Sequence, residues 1–293
     1  MNVRTTILGF AALWLTAALA TAHDFWMEPS NYRPKKSERV SLDLKVGEHF
    51  AGESVERNDL RIVSFVARGP DGKDTSVVGV DGRAPAGLWS ARADGLHQIG
   101  YRSHATALEL EAAKFEAYLT AEGLEHVIAA RKKRGESAKK GIEIYSRSIK
   151  TMLLAGDATP ETSKGFDARM GLTLEIVPEV NPYALKVGDE LPVHVWFQDK
   201  PLARALVGCT ALADTKDDVR LRTDENGRVV FRVAHGGPTL LRVCWMTEAP
   251  KDSQADWEST WSSLTFAVPV VSTPTPEPAP KPEPAPTPAP TPK

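Results

Sequence analysis

The sequence predicts a mainly β protein of two immunoglobulin-like β-sandwich domains with a helical insert between them. Two observations carry that prediction. Short runs of alternating apolar and polar residues, punctuated by turn pairs such as Asp71-Gly72, Asp81-Gly82, Asp94-Gly95 and Asn226-Gly227, fill both halves. Between them, near Ala107, the apolar spacing lengthens to that of a helix.

The chain opens with a short basic start ending at Arg4, an apolar run over 6–20 that includes Leu8, Phe10, Leu13 and Trp14, and small residues up to Ala22. This is the three-part pattern of a secretory signal peptide, so residues 1–22 read as a leader and the protein as periplasmic or secreted. Cleavage after Ala22 leaves His23 first; cleavage after Ala20 leaves Thr21 first; the Ala20-Thr21-Ala22 triplet favours the former. No second apolar stretch is long enough to span a bilayer, which implies no transmembrane segment after the leader is removed.

Residues 23–107 read as the N-terminal sandwich, with strands at 40–44 and 61–66 and a late strand at 96–101. In the insert, 108–165, Leu108, Ala112, Phe115 and Leu119 give one helical stripe, Leu124, Val127 and Ile128 begin a second, and Ile142, Tyr145, Ile149, Met152 and Leu153 give a third. Residues 166–271 hold about seven short strand patterns, the spacing of an immunoglobulin-like sandwich. Residues 272–293 alternate proline with Thr, Ala, Glu and Lys, which predicts a disordered, polyproline-II-like tail.

Net charge is −2 with acids and bases interspersed, so nothing marks a nucleic-acid partner. Cys209 and Cys244 are the two cysteines, and in an oxidising compartment an even pair reads most simply as one disulfide. No Gly-x-Ser-x-Gly elbow, phosphate-binding glycine loop or calcium loop is present, so the sequence reads as a binding protein more than as an enzyme, with a copper-dependent redox enzyme using His23 left open as a third reading.

The opening His23-Asp24-Phe25-Trp26-Met27-Glu28-Pro29 resembles members of the secreted bacterial family called domain of unknown function 4198. So do Tyr101-Arg102-Ser103, the stretch from Tyr118 through Gly123-Leu124, Tyr145-Ser146-Arg147-Ser148, Glu175-Ile176-Val177-Pro178 with Asn181-Pro182-Tyr183, and Trp257-Glu258-Ser259. That family is filed near nickel and cobalt uptake, so the resemblance implies metal handling and an inner-membrane metal transporter as partner. Residues 200–245 look like a carboxypeptidase-regulatory or transthyretin-like sandwich, usually a structural module.

One metal chemistry is legible. An amino-terminal His23 offers its α-amine and Nδ1 as a chelate, and one further imidazole completes a three-nitrogen site suited to nickel, cobalt or copper as the single divalent cofactor. His104 is the preferred partner, with His49 and His97 next. The rival expectation is an envelope module binding a carbohydrate or peptide without metal, or serving structure alone. Its groove would be lined by Trp26, Tyr145, Trp257 and Trp261, with Arg147 and Lys150 on the third helix available to an anion.

Overall fold

The computed structural model describes residues 24–161 and 163–270. The predicted leader, His23 and the proline-rich tail lie outside the described residues. In chain order the strands are β1 (Asp24–Pro29), β2 (Arg39–Glu48), β3 (Ala51–Val55), β4 (Ile62–Arg68), β5 (Asp74–Ser76), β6 (Gly87–Ser90), β7 (Gly95–Ser103) and β8 (Thr106–Leu110). Helices α1 (Ala112–Ala121) and α2 (Glu125–Lys133) follow. The chain continues through β9 (Gly141–Ala155), β10 (Leu174–Pro178), β11 (Glu190–Phe197), β12 (Lys200–Pro201), β13 (Leu206–Ala211), β14 (Asp214–Arg222), β15 (Arg228–Arg232), β16 (Gly237–Glu248) and β17 (Trp257–Val268).

A nine-stranded sheet in the order β14-β13-β16-β17-β9-β7-β4-β5, with β8 also on β9, draws strands from both halves of the chain. Side chains alternate between the two faces of a strand, and the core follows that parity. On one face, Leu96, Met152, Leu154, Leu241, Val243, Leu264 and Phe266 bury themselves against Leu174, Ile176, Leu191, Val193, Val195 and Phe231 of the sheet made by β10, β11, β12 and β15. On the other, Phe65, Ile99, Tyr101, Ile149 and Leu153 pack against Met27, Val40, Leu42 and Leu44 of the sheet made by β1, β2, β3 and β6. That second face also carries the helices: Phe115, Tyr118, Leu119 and Val127 cover Cys244, Met246, Trp257 and Trp261. The mainly β, sandwich-packed fold is as expected, with one large sheet serving as a wall of both cores.

The helical content is smaller than the sequence suggested. Leu108 lies on β8, the first helix starts at Ala112, and the third predicted helix, from Ile142 to Leu153, is the fifteen-residue strand β9. β9 is covered on both faces, so every position of its second half is buried, and apolar residues fall on both parities and mimic a helical stripe. It pairs in parallel with β17 on one side and antiparallel with β7 and β8 on the other.

The expected disulfide is absent: Cys209 and Cys244 are both free. They sit on neighbouring strands, but Cys209 pairs with Leu241, three residues from Cys244. That offset is about 10 Å along a strand and sends the two side chains to opposite faces. Cys209 leans on the core that holds Leu241, and Cys244 belongs to the helix-covered core. A disulfide needs Cα atoms within roughly 7 Å, so this register forbids one.

Candidate ligand-binding cleft

β1 and β2 stand over the helix-bearing face of the large sheet, and beside their packed core the layers part into a cleft of about 620 Å³. Strand pairing explains its floor. Tyr101 is opposite Ile149, Arg147 is two residues from Ile149 on the same face, and Trp261 is the parallel neighbour of Arg147. Phe25 reaches down from β1, with its ring centroid 6.2 Å from that of Tyr101. The guanidinium of Arg147 lies 4.9 Å from the Phe25 ring centroid, 5.3 Å from Tyr145 and 5.1 Å from Trp261. Cation–π attraction in such a partly dry setting fixes the group, while burial draws its pKa below the ordinary value.

The rim comes from the segment between β3 and β4. Arg57 donates to Asp59 and to the carbonyl of Ala86, and Asp59 receives a backbone anchor as its N–H donates to Asp81 at 2.8 Å. Arg61 donates to the hydroxyl of Thr106 on β8. Burial raises the Tyr101 hydroxyl above its usual value, and Arg61, Arg147 and Arg57 oppose that rise. Three guanidinium groups therefore act on one tyrosine on the cleft wall.

Behind Arg147 the wall is polar and dry. Trp261 stacks on Tyr118 at 5.6 Å, and the Tyr118 hydroxyl lies 3.3 Å from Glu143 Oε2 and 3.6 Å from Cys244 Sγ. Burial pushes the Glu143 carboxyl up to about 7, against hydrogen bonds that lower it. Half-buried Glu122 is pushed to about 7 as well, by desolvation and then by the carboxylate of Asp24. Burial raises the Cys244 thiol well above its ordinary value, so it is an inert thiol rather than a nucleophile.

The predicted site residues are dispersed. His23 falls outside the described residues. His49 is exposed on the turn between β2 and β3, at φ 52°. His97 is 4 % exposed, packs edge-on against Trp89 at 4.9 Å, and has Nε2 2.9 Å from the carbonyl of Ala93. Burial lowers its pKa, keeping the ring neutral. His104 is exposed just beyond β7 and donates its backbone N–H to Arg61. Among the described residues no group of three or more His, Cys, Asp or Glu could hold a metal ion, so the residues described do not by themselves fit one.

Of the groove candidates, Tyr145 and Arg147 line the cleft, while Trp26, Trp257 and Trp261 are buried packing residues. Lys150 is three positions from Arg147, faces the other core, and pairs there with Glu175. Arg57, Arg61, Phe25 and Tyr101 were not singled out from sequence. Arg57 lies in an aperiodic link, Arg61 read as the first residue of the strand at 61–66, Tyr101 as the end of the strand at 96–101, and Phe25 only as part of the family motif.

Fold and cleft define a mainly β protein that holds an open, arginine-rimmed and aromatic-floored pocket between two of its sheets. The chain belongs to the family described as domain of unknown function (DUF4198), whose model matches residues 20–247. No curated protein matches. Two solved structures are similar over 83 % of this chain: Escherichia coli alpha-2-macroglobulin activated by porcine elastase, at 11 % identity and TM-score 0.21, and the D0-D1 domain of Intimin, at 13 % identity and TM-score 0.20. The match spans 20 % of the first and 97 % of the second, and at such scores neither carries an argument. Among the described residues no helix is long and apolar enough to cross a membrane.

Proposed function

We propose that this is an exported binding protein that captures a small ligand in the cleft between β1–β2 and the large sheet. The observation that carries the reading is the cleft itself: about 620 Å³, the size of a small-molecule site, with apolar and aromatic walls and a few placed polar groups. The buried groups behind it fit binding rather than catalysis, since Cys244 is held as a thiol and Glu143 is sealed under α1. A thermal-shift screen of small metabolites tests the idea. A ligand at a hundred times its Kd adds about 2.7 kcal/mol, which raises Tm by about 5 °C or more in a chain of this size. Val46→Trp, which fills the cleft from β2, should abolish the shift. Hits that stabilise this variant equally, or a screen without hits, would count against a binding role for the cleft.

Transition-metal handling, with delivery to an inner-membrane transporter, is the second reading, and one observation favours it. Asp24 pairs with Gly47, so the chain entering β1 arrives beside the turn that carries His49. Asp24, the first described residue, lies close enough to His49 for the two to interact, so His49 rather than His104 is the imidazole to test first. Calorimetry with Ni(II) and Cu(II) should show binding by mature protein that is lost in His23→Ala and in a form extended by one N-terminal residue. It should weaken in His49→Ala and persist in His104→Ala. Binding should fall as pH drops through the imidazole range, because every ligand nitrogen must be unprotonated. Equal binding by all forms, or by none, removes this reading.

A further inference from the structure

We propose that the occupant of the cleft is a small organic anion, its carboxylate or sulfonate held by Arg61 and Arg147 and its apolar body laid against Phe25, Tyr101 and Tyr145. The inference rests on the cleft being the binding site and adds the chemical class of what enters.

Charge is the first argument. Arg57, Arg61 and Arg147 line the cleft against two carboxylates, Glu56 and Asp81. Asp81 is committed to the backbone N–H of Asp59, and Asp59 in turn neutralises Arg57. Arg61 has a neutral hydrogen-bond partner, the hydroxyl of Thr106, and among the described residues no carboxylate pairs with it. Its planar fork matches an oxyanion and is the least hydrated of the protein cations. Arg147 brings a second positive charge to the floor, fixed among three rings. A cationic ligand would meet the Arg61 guanidinium, whose hydrogen-bond partner is neutral, so that group selects against it.

Shape is the second argument. A bare phosphate or sulfate would leave most of about 620 Å³ filled with water, and it would make no use of the apolar wall formed by Leu44, Val46, Phe25 and Tyr101. An anion with a flat or branched hydrocarbon body uses both features at once. A neutral sugar could stack on the rings but would leave Arg61 with no partner beyond the neutral hydroxyl of Thr106.

Fluorescence titration with 8-anilinonaphthalene-1-sulfonate and its uncharged relative N-phenyl-1-naphthylamine tests the class. The sulfonate should bind the full mature protein at least tenfold more tightly than the neutral dye. Arg61→Gln should cost the sulfonate about tenfold, as expected for a hydrogen bond to a charged group, and leave the neutral dye unchanged. Val46→Trp should block both, with circular dichroism confirming that each variant is folded. If the two dyes bind equally and Arg61→Gln has no effect while Val46→Trp still blocks them, the anion class is overturned and the cleft survives as a site. If Val46→Trp leaves both titrations unchanged, or neither dye binds, the cleft reading falls together with the inference.

Discussion

Glu175→Ala is expected to destabilise the protein by roughly 3–5 kcal/mol, the usual result of removing one partner from a buried ion pair. Lys150 and Glu175 are each 1 % exposed and meet at 2.7 Å between the large sheet and β10. The carboxylate also accepts the backbone N–H groups of Met170, Gly171 and Leu172. Burial alone would raise the Glu175 pKa, but the Lys150 ammonium and these N–H groups outweigh it and hold the carboxyl below its ordinary value. Alanine therefore strands a buried ammonium and three backbone donors together. Lys150→Met, which leaves the carboxylate its three N–H partners, should cost less. Urea denaturation of both variants gives the comparison, and a loss below about 1 kcal/mol for Glu175→Ala would show that the pair is solvated in solution.

The second large effect is a dependence on pH that Glu143→Gln should remove. Glu143 is 1 % exposed, and burial lifts its carboxyl from 4.5 to about 7. Below pH 4.5 the group is neutral in the folded and unfolded chains alike, and its contribution is intact. Between 4.5 and 7 the unfolded chain releases the proton while the folded chain keeps it, so stability falls as pH rises. Above 7 the loss is complete at about 3 kcal/mol. Glutamine keeps an acceptor for the Tyr118 hydroxyl and carries no proton to lose. The variant should therefore match the wild type at pH 4 and exceed it by that amount at pH 8. Stability curves that run parallel over this range would refute the assignment. Glu122 acts in the same direction and remains in both proteins, so the variant keeps a residual slope.

Much of the fold was legible because local rules and tertiary packing agree. The alternation around Leu42 and Leu44, and from Leu191 to Phe197, survives as β2 and β11, each with a face in a core. Reading failed where two faces are covered. In β9, Ile149 and Leu153 serve one core while Met152 and Leu154 serve the other, and the period of two disappears from the hydropathy. The cysteine expectation failed for a related reason, since counting thiols says nothing about which face of a sheet each occupies. The cleft was half visible: Tyr145 and Arg147 stood out as a pair of chemical groups, although on the wrong kind of element. Arg57 and Arg61 gain their meaning only when β4 is laid beside β7 and the link before it becomes a rim.

The parallel pairing of β9 with β17 also fixes when the protein can become itself. Trp257 meets Glu143, a partner made much earlier in the chain, and β17 joins β9 to β16 in the middle of the large sheet. Until that final strand emerges, each half presents an unpaired edge at the site of a future interior seam, and closing it is a contact of high sequence separation. A chain that stops short of residue 257 is thus not a protein with a trimmed border but two halves with adhesive flanks. Maturation depends on the last strand as a keystone, and the unfinished chain is the form most in need of protection from its own kind.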